Sequence, residues 1–154
     1  MKSLFGSNIL DPATASWFRL FQKSPEFIRY YLPWRRSLVS SQAPLVDEVP
    51  WMNYEVILWL EHYLRRDMRV FEWGSGGSTF FWAKRVAQVI SVEHVCEWYE
   101  AVLKRIQNTK ALNVDLSLVE PQFMDLTPDD CYRASHPLYN GYSFHAYVTT
   151  IDAF

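Results

Sequence analysis

Two carboxylic acids and a cluster of glycines are the residues of this chain whose types and spacing suit chemistry. Glu72 is followed by Trp73-Gly74-Ser75-Gly76-Gly77-Ser78, and Glu93 stands 21 positions after Glu72. Glycine carries no Cβ, so a turn of this composition lets a ligand approach the backbone closely. A helix starting behind such a turn presents free N–H groups and the positive end of its dipole. An acid about 20 residues further on, at the end of the next strand, is placed to accept both hydrogen bonds of a ribose diol. Together these residues describe a nucleoside cofactor pocket.

The flanking pattern predicts the elements that hold them. Arg69–Trp73 is a short β-branched and aromatic run that the glycines break abruptly. Ser78 or Thr79 can cap a helix through Val86, and Gln88–Glu93 returns as a second strand, a βαβ unit of about minimal length. Cys96–Gln107 reads as an amphipathic helix with Tyr99, Val102, Leu103 and Ile106 on one stripe. Asn113–Glu120 alternates like a third, half-exposed strand. Upstream, Trp51–Arg66 reads as a helix, with Val56, Ile57, Leu60, Tyr63 and Leu64 apolar and Glu61 and Arg65 paired on the exposed side. Residues 121–141 read as a loop through Thr127-Pro128-Asp129-Asp130, Ser135-His136-Pro137 and Asn140-Gly141, and Tyr142–Phe154 as one more helix. That loop is expected to overhang the pocket, with Glu120 or Gln122 near a nucleobase; Tyr139 and Tyr142 read as ordinary exposed tyrosines.

Residues 1–45 form a separate helical, aromatic-rich segment, and residues 46–154 the cofactor-binding domain. Trp17, Phe18, Leu20 and Phe21 give one helical pattern after Pro12. Phe27, Ile28, Tyr30, Tyr31 and Leu32 give another, which Pro33 is expected to stop. Packing is the favoured role for these aromatics, over a cap on the cleft or an interfacial patch. Ser37–Pro50 reads as a linker.

Composition narrows the classes. The 154 residues are 49% hydrophobic and 17% aromatic, ample for a core, and a net charge of −2 gives no electrostatic footprint for nucleic acid. Cys96 and Cys131 are isolated and the four histidines scattered, which argues against a metal site and for reduced thiols in a cytoplasmic protein. No apolar run has the length of a membrane span, and the opening MKSLFGSNILDPATAS lacks the apolar core of a signal peptide.

The acid-x-Gly-x-Gly-x-Gly run, here Glu72-Trp73-Gly74-Ser75-Gly76-Gly77-Ser78, resembles the first motif of the class I S-adenosylmethionine-dependent methyltransferases, with Ser78 at the third glycine position. The wider run VFEWGSGGST…VISVEHVCEWYE looks like a group of small bacterial methyltransferase-like proteins. The resemblance implies an α/β, Rossmann-like three-layer α/β/α fold with strand order 3-2-1, and S-adenosyl-L-methionine as cofactor. It places Glu72 near the methionine end, Gly74 and Gly76 along the cofactor, and Glu93 on the ribose hydroxyls. The implied cofactor-binding set is Glu72, Gly74, Ser75, Gly76, Ser78, Glu93 and His94, with no catalytic residue assigned. A full domain of this family has seven strands and this sequence supplies three, so the expectation is a form truncated after the third strand. The methyl acceptor stays open, as does a homo-oligomer.

Two other classes remain. A nicotinamide-dependent oxidoreductase or epimerase also uses a βαβ unit, but its fingerprint would place a glycine where Thr79 stands, and Glu72 would repel a pyrophosphate. A non-catalytic fragment would act instead through an open strand edge and the aromatic segment.

Overall fold

The computed structural model describes residues 12–39, 43–111, 113–124 and 130–154. They fall into two compact units that divide between Ala43 and Pro44. In the first unit, α1 (Pro12–Lys23) and α2 (Ile28–Ser37) are joined by a 3-10 turn at Pro25–Phe27. Their aromatics pack on one another: the Trp17 ring lies 5.7 Å from Phe21, 5.8 Å from Tyr31 and 5.3 Å from Trp34. Trp17, Phe27 and Tyr30 are buried, which agrees with the packing role. Pro33 does not stop the second helix, which runs on to Ser37. Proline removes one N–H and leaves the rest of the ladder in place, and the aromatic packing of Tyr31 and Trp34 holds both sides of it.

The second unit is an α/β, Rossmann-like fold. Strands β1 (Arg69–Trp73), β2 (Gln88–Glu93) and β3 (Val114–Leu118) pair in parallel in the order β1-β2-β3, with α5 (Gly77–Ala83) and α6 (Cys96–Thr109) as crossovers. Parallel pairs joined by right-handed crossovers in sequential order place both helices on one face. Phe80 of α5 and Val102 of α6 accordingly share a buried cluster with Leu45 of α3 (Ala43–Asp47), and Leu116 of β3 packs against it. On the other face Phe71 meets Phe154 at 5.7 Å. The segment read as a linker therefore contains a short helix, whose Leu45 belongs to the core; residues 40–42 lie outside the described residues. Just beyond it, Glu48 pairs with Lys84 and, at 2.9 Å, with Arg105. Burial is the largest single influence and raises the Glu48 carboxyl, but the two cations together outweigh it and hold the carboxyl below the usual range.

Several boundaries differ from the expected ones. Helix α4 is Tyr54–Tyr63, because the Asn53 side chain accepts the Glu55 N–H at 2.7 Å and starts the helix there. Its buried side chains are Ile57 and Leu58, whereas Val56 and Tyr63 are exposed. Glu61 does not pair with Arg65. It accepts from Arg85, 24 positions on, at 2.6 Å, and Arg65 turns to Asp67. Helix α5 begins at Gly77, earlier than the serine and threonine expected to cap it. The presumed loop after β3 contains a small antiparallel ribbon, β4 (Gln122–Phe123) with β5 (Tyr142–Ser143). Residues 127–129 of the expected turn lie outside the described residues. The single helix expected over 142–154 is three pieces: β5, α7 (His145–Val148) and a 3-10 turn at Thr149–Ala153. Hydroxyls drive this division. Ser143 Oγ accepts the His145 N–H at 3.2 Å, and Thr149 and Thr150 donate to carbonyls three or four residues back.

Gly141 closes the ribbon at φ +80°, and a Cβ there would stand 2.7 Å from the Phe123 ring. Gly141→Ala is therefore expected to destabilise the protein by about 1–3 kcal/mol, the usual penalty for a non-glycine residue in this region. Urea unfolding checks it, and an unchanged midpoint would contradict the packing described.

Candidate functional site

The turn after β1 is built by its neighbours. Gly74 extends the β1–β2 ladder by one bond, its N–H donating to Val92 O at 2.8 Å, and then takes φ +79° to turn away from the sheet. That left-handed conformation is the position in this turn that asks for glycine. Gly76 is extended, and its N–H donates to Thr79 Oγ1 at 2.9 Å. The Trp98 indole N–H donates to Ser75 O at 2.6 Å and its ring covers Gly76, 3.6 Å from where a Cβ would stand.

Glu93 is the hub. Its carboxylate is 3% exposed, and both oxygens are engaged by protein donors. Oε2 accepts the Ser75 N–H at 2.9 Å and the Ser75 hydroxyl at 3.1 Å. Oε1 accepts the N–H groups of His94 at 2.8 Å and Val95 at 3.0 Å. The acid thus ties the turn after β1 to the turn after β2, 18 positions apart in sequence.

Glu72 sits one strand away and is held differently. The Thr79 and Ser91 hydroxyls donate to Oε1, the latter at 2.9 Å, and the Trp82 indole N–H donates to Oε2 at 3.0 Å. Thr79 relays from the turn to the acid, accepting from Gly76 and donating to Glu72. Burial raises the Glu72 carboxyl above its ordinary value, and hydrogen bonds from Thr79, Ser78, Ser91 and Trp82 oppose that rise. Its hydrogen-bond partners are all neutral.

The structure brings Glu72, Gly74, Ser75, Gly76, Ser78, Glu93 and His94 together at the carboxyl ends of β1 and β2. The His94 ring lies among Tyr139, Phe144 and Tyr147, with centroids at 5.7, 5.4 and 5.2 Å. Beside it a cavity of about 280 Å³ opens at the ends of β2 and β3, lined by His94, Val95, Glu97, Glu120, Tyr139 and Tyr142 among others. Gln122 faces a different cavity, with Asp130, Tyr132 and His145. Trp98 and Tyr147 are the site residues that sequence reasoning missed. Trp98 falls in the first turn of an amphipathic helix and signals packing, while Tyr147 shares helical spacing with Phe144, Val148 and Ile151 and so has the pattern of an apolar face. Among the described residues no group of His, Cys, Asp or Glu is arranged to hold a metal ion, and no helix is long and apolar enough to cross a membrane.

No protein-family model matches this chain, and neither does any curated protein. Among solved structures, it resembles the YcgJ protein from Bacillus subtilis at 18% identity and a TM-score of 0.38, over 49% of this chain and 33% of that one. It resembles the 23S rRNA methyltransferase ErmE at 22% identity and a TM-score of 0.34, over 50% of this chain and 32% of that one. The chain thus spans about a third of the length of the solved structures it matches.

Two outcomes follow from the hydrogen bonding. Glu93→Ala would leave the amides of Ser75, His94 and Val95 without their acceptor, and is expected to destabilise the fold by roughly 3 kcal/mol or more, since each buried orphan costs about 1–3. A urea midpoint close to that of the parent would show that the acid is not the hub. For Glu72, the folded protein holds its proton to higher pH than the unfolded chain does, so its ionisation makes stability fall as pH rises from about 4.5 through the raised pKa. Glu72→Gln removes that slope. The stability of the variant relative to the parent should climb over this interval in urea titrations, and a difference that stays flat with pH would refute the assignment.

Proposed function

We propose that this chain binds S-adenosylmethionine at the β1–β2 edge of its sheet and serves transfer of a methyl group to an acceptor yet to be found. The observation that carries the reading is the bond between Ser75 and Glu93. It joins the glycine turn after β1 to the acid after β2, in the crevice where open α/β sheets take their ligands. The 280 Å³ cavity beside His94, at the ends of β2 and β3, approaches the lower limit of small-molecule pockets.

The residues fit such a cofactor in three respects. Glu72 is an acid at the turn with no cationic partner among its hydrogen bonds, which suits an ammonium or sulfonium group. Gly74 and Gly76 put no side chain of their own between backbone and ligand. Of the four donors on Glu93, the Ser75 hydroxyl alone can turn away without breaking the backbone frame, so a ribose hydroxyl can replace it on Oε2. Ser78 and His94 flank these contacts. When bound, S-adenosylmethionine supplies the activated methyl group; the chain's share is to bind, orient and shield it, and proximity of this kind provides much of the rate enhancement in group transfer. No side chain is assigned as acid or base. Thr79, committed to Gly76 and Glu72, stands where a dinucleotide fingerprint would have glycine, which disfavours the nicotinamide alternative.

Calorimetric titration with S-adenosylhomocysteine, with NAD in parallel, tests the reading. The expected result is binding of the former alone, and binding at least as tight in Ser75→Ala, which vacates one acceptor position on Glu93. A folded protein that takes NAD and not S-adenosylhomocysteine would reverse the assignment.

A further inference from the structure

We propose that the segment from Phe144 to Phe154 is a strap that closes the glycine turn, with the Tyr147 phenol standing where a nucleoside ligand would meet Gly74. The class of ligand rests on the function proposed above; the closure itself rests on the geometry.

The Tyr147 hydroxyl lies 4.0 Å from the position of a Cβ on Gly74, the side of that residue a ligand would approach. Burial, with the charges of Glu93 and Glu72 nearby, raises its pKa to about 12, so the phenol stays neutral across the physiological range. Two anchors hold the strap along β1. The Trp73 indole N–H donates to Tyr147 O at 3.2 Å, and Arg69 meets the Phe154 carbonyl at 3.4 Å and the Phe154 ring at 4.7 Å. The elements carrying these contacts are short: a four-residue helix and one 3-10 turn. Single turns of this kind, held by a few exposed hydrogen bonds, belong to the low-stability end of a fold and open readily. Closed, the strap and Trp98 cover Gly74 and Gly76 together; opened, it uncovers the face of the turn that Glu72 and Glu93 flank.

The test combines two measurements on the parent chain, Tyr147→Ala and Trp73→Phe. The latter keeps the phenol and removes only its anchor, and serves should the former fail to fold. Hydrogen exchange of the Val148 and Phe154 amides, bonded within the strap to Phe144 O and Ile151 O, is expected to quicken about tenfold or more in either variant. Calorimetry is expected to show S-adenosylhomocysteine bound about tenfold more tightly. Unchanged exchange, or weaker binding in Tyr147→Ala, overturns the strap. Faster exchange with no S-adenosylhomocysteine bound by any variant supports the strap and removes the cofactor assignment. Equal binding by parent and variants keeps the cofactor assignment and removes the strap.

Discussion

The buried Glu93 carboxylate is the constraint on which the rest of the site depends. A charge removed from water needs full hydrogen bonding, more than the nearby His94 ring, whose Nδ1 stands 3.3 Å from Oε1, can give. Three backbone amides and one hydroxyl supply it, drawn from the turns after β1 and β2. Because the donors are main chain, the acid fixes backbone geometry and not merely side-chain positions. Gly74 must swing to φ +79° for Ser75 to present its N–H, and the chain after β2 must curl for two successive amides to converge on one oxygen. Charge-assisted bonds of this kind are roughly twice as strong as neutral ones, which makes the two turns a single rigid unit.

Glu72 shows the opposite solution to the same problem. Its donors are side chains from α5 and β2, and burial outweighs them, so the proton is held more tightly than usual. Where Glu93 shapes the turn, Glu72 couples the helix behind it to the sheet through Thr79 and Trp82. Two acids one strand apart on one face are therefore held by different donors: three backbone amides and a hydroxyl on one, side chains on the other.

The parts of this architecture legible in the sequence are those dictated by short-range pattern. Strands β1, β2 and β3 lie within two residues of their expected limits because β-branched runs bounded by glycine or by helix starts leave little choice. The pairing of glycine turn and distal acid was legible for the same reason: one crossover fixes the offset. What escaped depends on partners distant in sequence. Glu61 had Arg65 one turn away, yet Arg85 holds it, partly buried and bonded at 2.6 Å, where an exposed helical pair offers only about 0.3–0.5 kcal/mol. The stripe Phe144, Tyr147, Val148 and Ile151 has helical spacing, but hydroxyls at Ser143, Thr149 and Thr150 offer the backbone other bonds and divide the segment. Trp98 and Tyr147 carried no signal because an aromatic on an amphipathic helix looks the same whether it packs on a core or covers a turn.

Magnitudes decide whether such a cover is a lock or a latch. Leaving the turn, the Tyr147 ring gives up aromatic contacts with His94 and Phe144, each worth about 0.5–1.5 kcal/mol. A ligand that displaces it therefore forgoes about 1–3 kcal/mol, or roughly one to two orders of magnitude in affinity. An intrinsically micromolar site, worth about 8 kcal/mol, remains usable under that load. The Glu93 frame is different in kind, since breaking three buried amide bonds to a charge would consume most of the same free energy. Access to the glycine turn thus follows the path of least resistance, with the strap yielding and the acid and its amides staying as they are.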